Sequence, residues 1–234
     1  DEPRLMAMYQ EIEERVGALH GVSAASFSSF TFHQGSWNSG VVVKGIQLDK
    51  NINVKHNVVG TGYFRTMQIP LIAGRTFGSQ DTFTSKKVAV ISEHMAKTLF
   101  PKGDAIGRHF HIGTENDPWE MEVIGIVKDV KFGDLSEAPE SIDYIDYSQR
   151  RQYLGDFEVR YTGDLDSVST AVQQAIHSVE HRLPIMRVTT LDEQVARSIT
   201  QQRMVAQLSM FFGLLAVFLS CLGIYGLMSY IVGR

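Results

Sequence analysis

The sequence predicts an α+β domain over its charged first 203 residues, followed by one membrane-spanning helix. Three observations lead there. From Met204 to Gly233 no Asp, Glu, Lys, Arg or His occurs in 30 consecutive positions. Two amphipathic helix-then-strand patterns stand near the two ends of the charged part, and a run of strand patterns lies between them. The averages hide this division. The 234 residues carry 22 Lys+Arg against 26 Asp+Glu, with 44% hydrophobic and 21% charged residues. A mean hydropathy of −0.07 describes an ordinary soluble chain.

Composition removes several classes. Six Pro and 20 Gly are too few for a collagen-like or low-complexity chain, and the apolar content is too high for disorder. A net charge of −4 without a Lys/Arg run argues against nucleic acid as a partner. The single cysteine, Cys221, lies in the uncharged segment, so no intrachain disulfide is possible. Asp1-Glu2-Pro3-Arg4 is neither a signal peptide nor an initiator start, and the chain is expected to be part of a longer protein.

In chain order, Leu5, Met8, Ile12, Val16 and Leu19 recur at helical spacing and predict a helix over 4–19, stopped by Gly21. A strand over 22–30 follows. Asn38-Ser39-Gly40 reads as a turn into a strand over 41–48, and Thr61 as the cap of a short helical turn. Residues 87–91 predict a strand, after which Ser92 caps a short helix halted by Pro101. Residues 108–112, 121–130 and 142–147 are further strands, with Asp117-Pro118 as a turn between the first two. Asp164 or Asp166 caps a second long helix carrying Leu165, Val168, Val172, Ala175, Ile176, Val179 and Leu183. Pro184 ends it, and 185–189 is a short strand. The two helix–strand units imply a split sheet layer with helices on one face.

Thr190-Leu191-Asp192-Glu193 matches a capping box, Thr190 being the N-cap and Glu193 the third helical residue. No Gly or Pro interrupts the chain from there to Gly213. Leu191, Val195, Ile199 and Gln202 line one stripe, so a single helix is expected from about Leu191 into the membrane. Residues 208–231 exceed the roughly 20 apolar residues that a bilayer core requires. Gly213, Ala216, Ser220 and Gly223 form a line of small residues on which another helix can pack. Tyr225 and Tyr230 suit the interfacial belt.

No catalytic constellation is found, and no residue is assigned a catalytic, cofactor-binding or metal-binding role. His109 and His111 share a strand face but have no Cys or fixed carboxylate partner, so they read as solvent-facing. His177 and His181 stand one turn apart on a solvated helix face. Gly60-Thr61-Gly62 precedes Tyr63-Phe64 and not a Lys-Ser/Thr pair, which excludes a Walker loop. There is no Gly-x-Ser-x-Gly elbow. The acids Asp143 and Asp146, like Glu13 and Glu14, read as solvated faces.

The run Val58-Val59-Gly60-Thr61-Gly62-Tyr63-Phe64-Arg65-Thr66-Met67-Gln68-Ile69-Pro70-Leu71-Ile72-Ala73-Gly74-Arg75-Thr76-Phe77 is the most distinctive in the chain. Together with Val88 to Ala96, Phe100-Pro101 to Ile106-Gly107-Arg108, and Val123 to Val130, it closely resembles the extracytoplasmic domain of MacB/FtsX-type ABC transporter permeases. Phe211 to Tyr230 is similar to the start of that family's second membrane helix. The resemblance implies a porter-like α/β layer over 1–102 that returns over 151–190. It further implies an inserted β-rich lobe over 103–150, a stalk helix over 191–204 and a transmembrane helix over 205–232.

It also implies an exporter permease without ATPase activity or a cofactor of its own, whose domain couples ATP-driven helix motion to export. The implied partners are an ABC ATPase subunit or domain, a second permease copy or half, a periplasmic adaptor protein and membrane lipid. Residues 1–203 would lie outside a bacterial cytoplasmic membrane, and Arg234 would mark the cytoplasmic side. A membrane-anchored binding or sensor domain without an ATPase is the alternative.

Overall fold

The computed structural model describes residues 2–32, 37–45, 52–113, 119–131 and 138–233. Helix α1 (Glu2–Gly17) buries Met6, Tyr9, Ile12 and Val16, with Leu5, Met8 and Leu19 half-buried beside them. The chain reverses at Gly21, where φ is +86° and a Cβ would stand 2.9 Å from the Thr162 carbonyl oxygen. Strands β1 (Val22–Ser28), β2 (Trp37–Val42) and β3 (Asn53–Val59) lead to the short α2 (Tyr63–Met67). Then come β4 (Leu71–Gly74), β5 (Val88–Ser92), α3 (Glu93–Leu99), β6 (His109–Ile112) and β7 (Glu120–Val127). β8 (Ile142–Asp146), β9 (Asp156–Tyr161), α4 (Leu165–Val179) and α5 (Leu191–Val232) complete the order. The chain divides after Val188 into two units.

Within the first unit the strand pairings close on themselves. β2 pairs with β6, β6 with β7, β7 with β5, β5 with β8, β8 with β3, and β3 again with β2. Six strands thus form a ring, a small barrel without free edges along that path. β4 adds to β7, while β1 touches β3 at the single pair Ser28–Val59 and carries β9 on its other side. Helix α1 packs on β1 and on α4.

Two apolar clusters follow from strand alternation. All six ring strands contribute to the first, through Val41, Val54, Ile91, Phe110, Met121 and Ile145 among others, so it fills the ring. The same cluster runs on to α1 and to Met95 and Leu99 of α3. The second joins Val59, Val90, Ile124, Val127 and Tyr144 to Tyr63 and Phe64 of α2. Both faces of β5 and β8 are therefore buried.

Caps agree with chemistry in three places. The Ser92 hydroxyl accepts from Met95 N–H at 3.2 Å, and the Asp164 carboxylate from Ser167 N–H at 2.9 Å. Asp164, and not Asp166, therefore caps α4. In the second unit, Thr190 Oγ1 accepts from Glu193 N–H at 3.2 Å, while Glu193 receives the Thr189 hydroxyl at 3.0 Å.

Elsewhere the structure corrects the pattern reading. Asn38-Ser39-Gly40 is no turn: these residues lie in β2 opposite Lys55, Val54 and Asn53, so ladder pairing overrides local turn propensity. A turn at Lys44-Gly45 follows β2 instead, with φ +78° at Gly45. Residues 46–48 of the expected strand and the Asp117-Pro118 turn lie outside the described residues. The cap position of α2 is Gly62, not Thr61, and a Cβ there would meet the Ala25 carbonyl oxygen at 2.9 Å, so the position suits glycine.

Helix α4 ends at Val179, before Pro184, and 185–189 forms no strand. Met186 is 94% exposed, so no sheet edge receives that segment. Strands β3, β4 and β9 are additional to the expected elements. Strands from both sides of residue 103 close the same ring.

Candidate functional site

Where β2 closes the ring onto β3, a chain of polar side chains crosses three strands. The Ser39 hydroxyl meets His56 Nε2 at 2.7 Å, and His56 Nδ1 meets Asp143 Oδ2 at 2.8 Å. Ser39 shares a strand face with Val41, His56 with Val54 and Val58, and Asp143 with Ile145, so all three face the ring interior. His56 and Asp143 are fully buried. Burial pushes the Asp143 carboxyl up, and the adjacent imidazole draws it partly back.

The order Ser–His–Asp is that of a hydrolase relay, but the surroundings give it another role. Ser39 is mid-strand opposite Val54, and the Trp37 ring lies 4.3 Å from the imidazole. Arg150 in turn stacks 3.8 Å over Trp37 and 4.8 Å over Trp119. The chain is a clasp that ties β2, β3 and β8 together where the ring closes.

A second polar group occupies the seam between the ring and α1–β1. Beyond Ser28–Val59 the two strands part after one bond, Gly60 N–H to the Phe27 carbonyl at 2.9 Å, while Tyr147 N–H to the Val59 carbonyl, also at 2.9 Å, continues the β3–β8 pairing. The Glu13 carboxylate enters this gap. Its Oε1 accepts from Phe27 N–H and its Oε2 from the Tyr147 hydroxyl, each at 3.0 Å. A Cβ on Gly60 would lie 2.3 Å from Glu13 Oε1, so only glycine leaves room.

Two further acids adjoin it. Asp146 Oδ1 accepts from Ser148 N–H at 2.7 Å, and Glu158 Oε1 from the Ser28 hydroxyl at 2.5 Å. Asp146 Oδ2 and Glu158 Oε2 are sealed from solvent with no partner. Desolvation raises Glu13, lifts Asp146 to about 7 and lifts Glu158 to about 8. Asp143, Asp146 and Glu13 are thus not the solvated acids that the sequence reading expects. The signal was present in Ile142-Asp143-Tyr144-Ile145-Asp146-Tyr147: acids in a strand apolar on both faces must be buried.

The histidines expected to face solvent are placed separately. His109 lies 3.9 Å from Glu122 and His111 3.9 Å from Glu120, across the β6–β7 pair. The His177 and His181 rings stand 6.1 Å apart on an exposed surface. Among the described residues no three His, Cys, Asp or Glu side chains converge as metal ligands. Glu14 is exposed.

The second unit is one 42-residue helix, α5. Its window Gln207–Ile224 has a mean hydropathy of 2.0, enough in length and composition to cross a membrane. Gly213, Ala216, Ser220 and Gly223 lie in this window, and the Ser220 hydroxyl is satisfied by the Ala216 carbonyl at 2.8 Å. The side chains of Gln202, Tyr225 and Tyr230, and Arg234 as a whole, lie outside the described residues.

Comparison with known proteins bears on this arrangement. A family model described as the MacB-like periplasmic core domain matches residues 5–179. The chain is 30% identical over 122 residues to an uncharacterized ABC transporter permease, YknZ of Bacillus subtilis. It is 31% identical over 88 residues to the macrolide export ATP-binding/permease protein MacB of Chromobacterium violaceum. These matches span 51% and 36% of this chain but only 27% and 13% of those proteins.

Among solved structures, the periplasmic region of MacB from Actinobacillus actinomycetemcomitans superposes with a TM-score of 0.53 at 16% identity, covering 73% of each chain. The extracellular domain of YknZ, a noncanonic ABC-type transporter from Gram-positive bacteria, superposes with a TM-score of 0.50 at 17% identity. That match covers 73% of this chain and 82% of the other. At such identities these likenesses establish the fold.

Proposed function

The chain belongs to the family of the MacB-like periplasmic core domain, and from that premise we propose that it is part of an ABC-type exporter permease. Its first unit is the extracytoplasmic domain, and α5 is the helix that couples that domain to the membrane. The observation that carries this reading is the unbroken course of α5 from Leu191 to Val232. At about 1.5 Å per residue it is roughly 60 Å long, about twice a bilayer core. Its charged beginning suits water and its window Gln207–Ile224 suits lipid. Residues 191–204 form the stalk, and 205–232 the membrane helix of a bacterial cytoplasmic membrane.

In this reading the layer comprises α1, β1, β9 and α4, while the ring from β2 to β8 is the β-rich lobe. ATP hydrolysis takes place on an ABC ATPase subunit or domain. Its motion shifts the membrane helices, and α5 carries the shift outward to drive export. A second permease copy or half packs on the line of small residues from Gly213 to Gly223, within the lipid. A periplasmic adaptor contacts the domain.

A helix-breaking Val195→Pro tests the lever. Proline inside a helix costs about 3 kcal/mol and kinks it. In the complete permease with its ATPase, ATP should change hydrogen exchange across residues 2–179 in the parent protein. The variant should keep ATP hydrolysis and lose that response. If the response persists, the lever reading fails. Failure of any ATPase to co-purify with the complete permease would favour an anchored binding or sensor domain instead.

A further inference from the structure

We infer that the seam between α1–β1 and the ring is a proton-responsive joint, in which Asp146 and Glu158 hold protons when the seam is closed and release them as it opens, beside the Glu13 carboxylate that bridges it. This stands on the geometry of the seam and is independent of the permease reading. Three carboxyls lie around the place where β1 leaves β3, and the one ladder pair there, Ser28–Val59, is flanked only by the Ser29 N–H to Val58 carbonyl bond at 2.8 Å and the Gly60 N–H to Phe27 carbonyl bond at 2.9 Å. One of them, Glu13, is itself the bridge between α1, the Phe27 amide and Tyr147.

The charged and titratable groups around the seam come from every packed element. Helix α1 supplies Glu13 and Glu14, β8 and its end Asp146 and Tyr147, β9 Asp156 and Glu158, and α2 Tyr63. The loop before β5 supplies Asp81. The cations are directed elsewhere. Arg75 Nη1 and Nη2 donate to the Asp81 carboxylate, at 2.6 and 2.8 Å, and Arg160 Nε–H donates to the Thr66 carbonyl at 2.6 Å. Asp146 Oδ2 and Glu158 Oε2 remain sealed without a donor. A buried carboxylate with no counter-ion and one oxygen left without a donor is costly, so a proton is the ligand that such an oxygen takes.

The direction of the effect follows. Burial comes first among the causes that raise all three acids, and the charge of Glu13 pushes Asp146 and Glu158 further up. Asp146 moves from 3.8 to about 7 and Glu158 from 4.5 to about 8. The closed seam therefore binds protons that the open or unfolded chain does not. Its stability is fully present below about pH 4 and falls as pH rises through 7 and 8.

Hydrogen exchange on the full chain in lipid nanodiscs tests this, with rates corrected for intrinsic pH dependence. Protection at the Phe27, Gly60 and Tyr147 amides should fall by about tenfold or more between pH 5.5 and 8.5, the equivalent of at least one pKa unit. The double variant Asp146→Asn, Glu158→Gln should flatten that dependence. An unchanged slope in the double variant would overturn the inference. Should the variant fail to fold, carbon-13 titration of the parent chain's side-chain carboxyls decides. Midpoints above about pH 6 at both Asp146 and Glu158 are expected, and a midpoint below about pH 6 at either would refute the joint.

Discussion

The unit ending at Val188 and helix α5 solve opposite problems with the same residue types. The first hides polar side chains inside apolar packing: His56, Asn57, Asp143 and Asp146 are fully buried. Most of them find partners across the fold, as His56 does between Ser39 and Asp143. Helix α5 does the reverse. It leaves Leu208, Phe211, Phe218 and Ile224 more than half exposed, and Ser220 is satisfied by its own backbone one turn away. Packing in the first unit is therefore long-range and specific. In α5 the constraints are local, and the surrounding medium supplies what packing supplies elsewhere.

Paired truncations put this contrast at risk. Leu99 is fully buried in the core that fills the ring, so Leu99→Ala should cost about 2–5 kcal/mol of domain stability. Leu215, 43% exposed, should cost less than about 0.5 kcal/mol when cut to Ala. Denaturation of the full chain in detergent, followed by tryptophan fluorescence, measures both, because Trp37 and Trp119 lie in the first unit. Equal losses would make α5 an ordinary core helix.

A smaller effect sharpens the boundary between the two regions. Thr190→Ala removes the side-chain oxygen that caps α5 and should cost that helix end about 1 kcal/mol. Amide exchange at Glu193 should quicken, while exchange at Ile12 and Ile91 should not change. Spread of the effect into the first unit would mean that the helix start is not locally determined.

The legibility of the sequence follows the same contrast. α1, α3, α4 and α5 were readable because helical periodicity and caps such as Ser92, Asp164 and Thr190 are local signals. The ring was less so. β3 interrupts its apolar pattern with His56 and Asn57, both buried, so it does not read as a strand. Asn38-Ser39-Gly40 has turn chemistry, yet β3 draws it into the ladder. The seam acids look solvated one at a time. Their burial depends on strands more than 80 residues apart in sequence, as Ser28 and Glu158 or Glu13 and Tyr147 illustrate. Patterns of nearest neighbours do not encode such closures.

The native lone cysteine provides the most direct test of a chain built for two solvents. Cys221 sits within the apolar window of α5, whereas Met186 is 94% exposed in the first unit. A membrane-impermeant maleimide should label Met186→Cys, made in a Cys221→Ser background, readily on intact membranes. Native Cys221 should stay unreactive until the bilayer is dissolved, because a thiol in hydrocarbon neither ionises nor meets the reagent. Labelling of Cys221 on intact membranes at the rate of Met186→Cys would contradict the account.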